Sequence, residues 1–420
     1  MTQTKLNLLT LNNNAISVLK FLHEEFTKRG KEIRLVGGSV RDILQGYDPS
    51  DLDFATTATP EEMMEWYYGR NKFIKDEIYA IPTGLQHGTL TLMLPKNYGN
   101  IHSVEVTTLR KDIETDGRHA TVEFTDDWKE DAARRDFTMN AMFLDAEGNL
   151  YDYFNGYQDL QEKHVRFIGN PDDRIEEDAL RMLRYLRFRL KFGEFISFYS
   201  YNDPNLETLK RNKHKINIVS KERVWTEYLK ICEQIPLYEI ENWFRLLNES
   251  GLGEELGFPY APKAAPHFPT KAFRTYPHLA LATHFSLKDK EPEIFYKKYK
   301  LSMKERKDID QFMDLRYTHY SEYNIRNAIN DKNIPRHIIM LGYLAEIKDQ
   351  HDYHGATIFE ISTYEKKECP ITAQDLIDLF GYKQGKTLGA EYRQLYIAWQ
   401  ISGFELTREE LLSKANPPEK

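Results

Sequence analysis

Gly37-Gly38-Ser39-Val40-Arg41-Asp42, followed by Gly46 and then Asp51-Leu52-Asp53, decides how this chain is read. The apolar run Ile33 to Val36 before it reads as a buried strand that ends at the two glycines, and Val40 to Gln45 reads as a short helix. Glycine lets backbone approach a phosphate closely, and a helix N-terminus offers free N–H groups to an anion. Arg41 adds a guanidinium fork for phosphate oxygens. Asp51 and Asp53 stand at i and i+2 of the next predicted strand, so both side chains point to one face. Such a carboxylate pair suits a hard cation such as Mg²⁺. Two such metals bridging phosphate oxygens serve an in-line phosphoryl or nucleotidyl transfer. An isolated Asp-x-Asp is usually a turn or a solvated edge. In this order, on a strand-turn-helix-strand unit, the pair asks for a chemical reading.

Outward from that stretch, the first ~165 residues alternate strands and helices. Thr59-Pro60-Glu61-Glu62 carries a capping box with proline at the first helical position. Strands are predicted at Thr89–Leu94, Ser103–Thr107, Met139–Leu144 and Tyr151–Phe154. Glu105 lies between Val104 and Val106, so it faces opposite to its valine neighbours. If helices cover the valine side, Glu105 joins the aspartates as a third carboxylate. Arg134-Arg135-Asp136-Phe137-Thr138-Met139-Asn140-Ala141 places paired arginines, able to clamp triphosphate oxygens, just before a strand. Taken alone it reads equally as a surface basic pair.

Beyond about residue 170 the apolar spacing turns helical: Ile175, Ala179, Met182, Leu183, Leu186 and Leu190. Glu177-Asp178-Ala179-Leu180-Arg181, extended by Arg184 and Arg187, is expected on one helix with Asp178 and Arg181 as i,i+3 neighbours. A carboxylate acceptor beside a guanidinium fork matches the edges of cytosine and adenine, whose amino groups donate. It mismatches uracil and guanine, which present a carbonyl where Asp178 needs a donor. The bland alternative is a solvated, salt-bridged helix face.

Composition bounds the rest. The 420 residues are 41% apolar and 29% charged, in the globular range, which excludes fibrous and wholly disordered classes. Fifty-seven basic against 65 acidic residues, a net charge of −8, argue against a generally polybasic nucleic-acid binder. Two cysteines, Cys232 and Cys369, cannot build a disulfide framework or a cysteine zinc cluster, and fit a reducing compartment. No apolar stretch approaches a membrane span, and Met1 to Asn14 has neither an Arg-rich amphipathic pattern nor an apolar signal core. The expectation is a soluble, cytoplasmic protein with no evident protein partner. Two basic runs, Lys210-Arg211-Asn212-Lys213-His214-Lys215 and Lys297 to Lys307, are candidate phosphate-tracking surfaces or plain solvated faces. His351-Asp352 lacks spaced partners for a metal-dependent phosphohydrolase site.

The three constellations, in this order, resemble the class II tRNA nucleotidyltransferases, the CCA-adding enzymes of the polymerase-β-like nucleotidyltransferase superfamily. The resemblance covers roughly residues 30–230. Asp152-Tyr153-Phe154-Asn155-Gly156-Tyr157-Gln158-Asp159-Leu160 is similar to the family's head-to-neck motif, and Ser220-Lys221-Glu222-Arg223, with Glu227, to the neck helix supporting the nucleotide-selecting residues. The resemblance implies an α+β fold: a nucleotidyltransferase head with a mixed sheet over 1–165, then an all-helical neck (166–232), body (233–300) and tRNA-binding tail (301–420). It implies that Asp51 and Asp53 hold Mg²⁺, with Glu105 as a further active-site acid matching the branch that includes eukaryotic enzymes. Gly38, Arg41, Arg135, Asp178, Arg181, Arg184 and Arg187 then contact the incoming nucleotide. Leu109 through His119 matches the flexible loop that full CCA-adding members retain. Gly385-Lys386-Thr387-Leu388-Gly389 is similar to a less diagnostic C-terminal pattern. The implied activity is addition of CCA to the tRNA 3′ end from CTP and ATP without a nucleic-acid template. CC-only, A-only and poly(A) addition are close alternatives, and a non-catalytic tRNA-binding protein is a distant one.

Overall fold

The computed structural model describes residues 2–8, 13–47, 49, 51–68, 77–95, 98–115, 120–192, 203–235, 240–258, 278–279, 291–316, 326, 328–330 and 367–417. The chain forms two compact units, Met1–Ile231 with Asn242–Tyr260, and Cys232–Glu241 with Ala261–Lys420.

The first unit holds an eight-stranded sheet. Its strands are β1 (Thr2–Lys5), β2 (Ile33–Val36), β3 (Asp53–Thr56), β4 (Tyr79–Gly84), β5 (Thr89–Met93), β6 (Ser103–Thr108), β9 (Met142–Leu144) and β10 (Asn149–Asp152), while β7 (Arg110–Thr115) and β8 (Ala120–Phe124) form a separate hairpin. The order is β1-β10-β9-β2-β3-β6-β5-β4, with β3 parallel to β6 and the other described pairs antiparallel, so the sheet is mixed as expected. In β6, Val104 and Val106 are buried while Glu105 is exposed on the opposite face.

Helix α1 (Asn13–Thr27) buries Ile16, Leu19, Leu22 and Phe26, the stripe its apolar periodicity predicts. Helix α2 (Gly38–Leu44) follows β2 directly. Helix α3 (Pro60–Tyr67) opens on the Thr59–Glu62 capping box. Then come α4 (Trp128–Ala133), α5 (Gly156–Gln161), α6 (Pro171–Glu177), α7 (Arg181–Phe192), α8 (Pro204–Asn212) and α9 (Lys221–Gln234).

Several expectations need correction. Strand β9 begins at Met142, because Thr138–Asn140 forms a 3-10 turn at the residues expected to start it. Strands β1 and β4 carry no clear alternation and were not expected. Within the region expected as a flexible loop, Leu109 to His119, residues Arg110–Thr115 form strand β7, paired with β8, and 116–119 lie outside the described residues.

The described part of the second unit is helical: Glu291–Tyr299, Met303–Arg316, and a C-terminal cluster of Ala373–Phe380, Lys386–Ile401 and Arg408–Leu412 packed around Leu376, Trp399 and Leu411. The predicted Thr407–Glu410 capping box is present. The proline-punctuated stretch 259–269 and His351-Asp352 lie outside the described residues.

Candidate active site

The turn after β2 is built by glycine geometry. Gly37 has φ +67°, a conformation that favours glycine, and a Cβ there would sit 3.2 Å from Arg135 Nη1, a tight contact. Ser39, buried at the start of α2, clamps the aspartate strand. Its Oγ donates to the Asp51 carbonyl at 3.0 Å and accepts from the Asp53 N–H at 3.0 Å. Sequence reading passed over this serine. Its signal is a small hydroxyl residue directly after the glycines.

Asp51 and Asp53 flank buried Leu52, and Asp53 is the Cα partner of Glu105 on the parallel strand β6. The strand expected from Asp51 begins at Asp53, so Asp51 sits just ahead of it, and both Glu105 and Asp51 are near enough to act on the Asp53 carboxyl. Burial, then Glu105, push the Asp53 carboxyl up, Arg135 opposes them, and Asp51 adds to the rise. Like charges gathered beside a half-buried carboxylate fit a divalent cation, which relieves their repulsion. A second group, Asp159, Glu162 and His164, also brings ligand atoms together. There, however, Asp159 is already held by Thr138 Oγ1 at 2.7 Å and Arg166 Nε at 2.8 Å.

A cleft of about 450 Å³ opens beside these strands. Its walls are Gly37, Gly38, Arg41, Asp53, Arg134, Arg135, Asp136, Asn140, Asp178, Arg181, Arg184, Arg187, Phe188 and Lys230. Eight of the ten expected site residues line it; Asp51 and Glu105 are outside the lining. Asp136, Phe188 and Lys230 were not expected there.

Every lining arginine is tied to a carboxylate. Arg41, itself buried, binds Asp42 through Nε (2.9 Å) and Nη2 (2.8 Å), and donates from Nη1 to Asn140 Oδ1 at 2.6 Å. Asn140 Nδ2 donates to Asp136 Oδ1 at 3.0 Å, and Asp136 Oδ2 accepts from Arg184 Nε at 2.7 Å. Asp42, Arg41, Asn140, Asp136 and Arg184 thus form one continuous chain of bonds. Burial alone would raise the Asp136 carboxyl; the Arg184 guanidinium and Asn140 hold it below its ordinary value. Arg134 and Arg135 both bind buried Asp131, at 2.8 Å each. Arg187 Nε donates to Glu227 Oε1 at 2.6 Å, both side chains being nearly solvent-free.

The base-reading pair departs from the expected single helix. Helix α6 ends at Glu177, Asp178 is extended (φ −152°, ψ 103°), and α7 begins at Arg181. Asp178 leaves the helix because its side chain takes a capping role, Oδ1 accepting from the Leu180 N–H at 3.1 Å. Oδ2 accepts from Arg223 Nη2 of α9 at 2.7 Å. Arg181 spans the break, donating from Nη1 to Glu177 Oε2 (2.5 Å) and to the Arg174 carbonyl (2.9 Å), and from Nη2 to the Arg134 carbonyl (3.1 Å). Of its five N–H donors, Nε–H and one Nη2–H remain for a ligand. The head-to-neck motif packs tightly on the turn before β9: a Cβ on Gly156 would collide with the Thr138 carbonyl at 2.1 Å.

The basic run at 210–215 belongs elsewhere. Arg211 pairs with Asp172, Lys213 with Glu254, and Lys215 with Glu176.

Residues 33–166 match the family model described as the poly A polymerase head domain. The Homo sapiens protein named CCA tRNA nucleotidyltransferase 1, mitochondrial, is 35% identical over 410 residues, covering 94% of this chain and 89% of the human one. A Staphylococcus aureus CCA-adding enzyme is 31% identical over 296 residues, 70% of this chain and 67% of its own. The crystal structure of the Bacillus stearothermophilus CCA-adding enzyme in complex with CTP superposes with a TM-score of 0.67 at 23% identity, over 96% of this chain and 98% of that one, and shares the fold. At this level of identity and coverage, the chain belongs to the CCA tRNA nucleotidyltransferases.

Proposed function

We propose that this protein adds CCA to the 3′ end of tRNA from CTP and ATP, with Asp178 and Arg181 selecting the base in place of a nucleic-acid template. The observation that carries the reading is that one cleft contains both Asp53 and the Asp178/Arg181 pair. Phosphoryl-transfer acids and a base-edge reader sharing a cavity of nucleotide size leave little else for the cavity to do. Asp178 accepts from the exocyclic amino group of cytosine or adenine through lone pairs not used by Leu180 and Arg223. Arg181 donates its remaining N–H groups to the adjacent ring acceptors. Uracil and guanine leave that carboxylate facing a carbonyl.

Asp51 and Asp53, with Glu105 beside them, would hold Mg²⁺. When bound, the metal supplies a Lewis acid at the phosphoryl oxygens and lowers the pKa of the attacking 3′-hydroxyl. The chain's own part is to fix the geometry. Ser39 holds the aspartate strand against α2, Gly37 and Gly38 admit a phosphate, Arg135, Arg184 and Arg187 present donors already oriented by buried carboxylates, and Arg41 is oriented by Asp42 and Asn140. Oriented donors need no reorganisation as charge develops.

The four-part division into head (1–165), neck (166–232), body (233–300) and tail (301–420) is our reading of how the work is shared, with tRNA held mainly by the tail. No described helix is long and apolar enough to cross a membrane. Cys232 and Cys369 are not disulfide-bonded, which fits a reducing compartment; we read the location as cytoplasmic, and fractionation tests this against the mitochondrial names of the mammalian relatives.

The deciding experiment is incorporation of labelled CTP and ATP into a tRNA lacking its 3′ CCA. Sequential addition of C, C and A supports the reading. Addition of C alone, of A alone or of a long A tail selects one of the alternatives, and tRNA binding without incorporation selects a non-catalytic role.

A further inference from the structure

Arg223, Glu227 and Lys230 are four and three residues apart on α9, so they share one face of the helix. The first two have visible tasks. Arg223 holds the Asp178 carboxylate, and Glu227 holds the Arg187 guanidinium. Lys230 continues the face and lines the same cleft. Its side chain is exposed, and no hydrogen bond or ion pair of its ammonium is found among the described residues. Arg41, Arg135, Arg184 and Arg187, by contrast, each have a carboxylate partner. Lys230 therefore adds positive charge to the cleft that nothing on the described wall neutralises.

Position along the helix indicates which part of a ligand meets that charge. Seven residues of α-helix rise about 10 Å, so Lys230 stands two turns beyond Arg223. Arg223 marks the base-reading end of the cleft, because it touches Asp178. Arg184 and Arg187 of α7 step away from Arg181 by one and two turns in the same manner. A nucleotide whose base lies at Asp178 extends its far phosphates toward the Lys230 end. A lysine ammonium, a compact charge with three donors on a flexible stem, suits a terminal phosphate whose exact position shifts between cytidine and adenosine nucleotides.

We propose that Lys230 binds the β- and γ-phosphates of the incoming nucleotide, and with them the pyrophosphate product; this rests on the function read above. The residue serves CTP and ATP alike because both carry the same triphosphate. Nucleoside monophosphates, which lack the outer phosphates, gain nothing from it.

The test measures the affinity of the full-length protein for CTP and CMP by calorimetry with Mg²⁺, alongside steady-state kinetics on tRNA lacking CCA. Lys230→Ala is expected to weaken CTP binding about tenfold and leave CMP binding unchanged. KM for CTP and ATP should rise together by the same factor, with KM for tRNA unchanged and inhibition by pyrophosphate weakened in step. Lys230→Arg, which keeps the charge, should recover most of the loss. Unchanged CTP affinity overturns the proposal. So does a rise in KM for tRNA alone, which would place the lysine on an RNA phosphate. Equal losses for CTP and CMP in both variants would show a packing role and overturn it as well. Wild-type protein that binds CTP but extends no tRNA would sink the CCA-adding reading without touching the Lys230 result.

Discussion

The cleft and the surface run Lys210 to Lys215 are both rich in cations, and both pair them with acids. The pairs differ in where the acids sit. In the cleft, Asp131, Asp136 and Glu227 are buried, with side chains at most 9% exposed. On the surface, Arg211 and Asp172 are 59% and 39% exposed. A buried acid fixes its arginine in one pose and makes loss of either partner costly. An exposed acid is screened, and its pairing is worth little. Burial of the carboxylate thus separates a built site from a solvated face.

The largest effect tests the carboxylates proposed to hold the metal. Asp53→Ala should lower incorporation of both CTP and ATP about a thousandfold or more, since the chemistry loses several kcal/mol of charge stabilisation. Affinity for tRNA should stay near wild type. Near-normal addition of either nucleotide by Asp53→Ala would remove the carboxylates from the reaction.

The comparison itself breaks or holds on stability. Glu227→Gln strands the buried Arg187 charge and should cost about 3–5 kcal/mol by chemical denaturation. Arg211→Ala, a loss from the exposed run, should leave the denaturation midpoint where it is. Equal losses from the two variants would show that burial of the acid is not what distinguishes the regions.

A finer test concerns base choice. Asp178→Ala should relax rejection of UTP and GTP by roughly tenfold to a hundredfold, more than it slows CTP. Arg181→Ala should weaken CTP and ATP together. Wild-type selection among the four nucleotides in both variants would reduce Asp178 and Arg181 to helix-end ion pairs.

Much of this was legible in the sequence because the signals are local. Gly37-Gly38, the Asp51/Asp53 spacing and the arginines at 181, 184 and 187 each announce their geometry within a few residues. Glu105 faces opposite to its buried valine neighbours, as the alternation of the strand predicts. What stayed hidden depends on distant partners. The break at Asp178 arises from a side chain capping the next helix, with Arg223, 45 residues onward, taking its other oxygen. A continuous apolar stripe through Ala179 and Met182 masks that break. Asp136 reads as part of a surface basic cluster until Arg41 and Arg184 are seen to meet through it and Asn140. Strand β4 interrupts its alternation with Pro82 and Thr83, so edge pairing, and not pattern, makes it a strand.

The smallest effect probes the Asp136 hub through pH. Asp136 is buried, and burial alone would raise its carboxyl; Arg184, Asn140 and the Phe137 N–H together hold it below the ordinary value. A carboxyl whose folded-state pKa is depressed binds its proton more readily in the unfolded chain. Its contribution to stability is therefore complete above the unfolded value, about 3.9, and is lost as pH falls through the lower folded value. Unfolding followed between pH 5 and 2 should show wild-type stability falling as the unfolded chain takes up the proton. Asp136→Asn removes that proton uptake, so its stability should fall less steeply below pH 4, from a lower starting level, because Arg184 has lost its charged partner. Asp131, depressed by Arg135 and Arg134 after the same burial, titrates in the same window and keeps part of the slope in the variant. Identical slopes in wild type and Asp136→Asn would mean that Asp136 gains no net charge stabilisation from Arg184, and that the bonds from Asp42 to Arg184 organise the cleft without stabilising it.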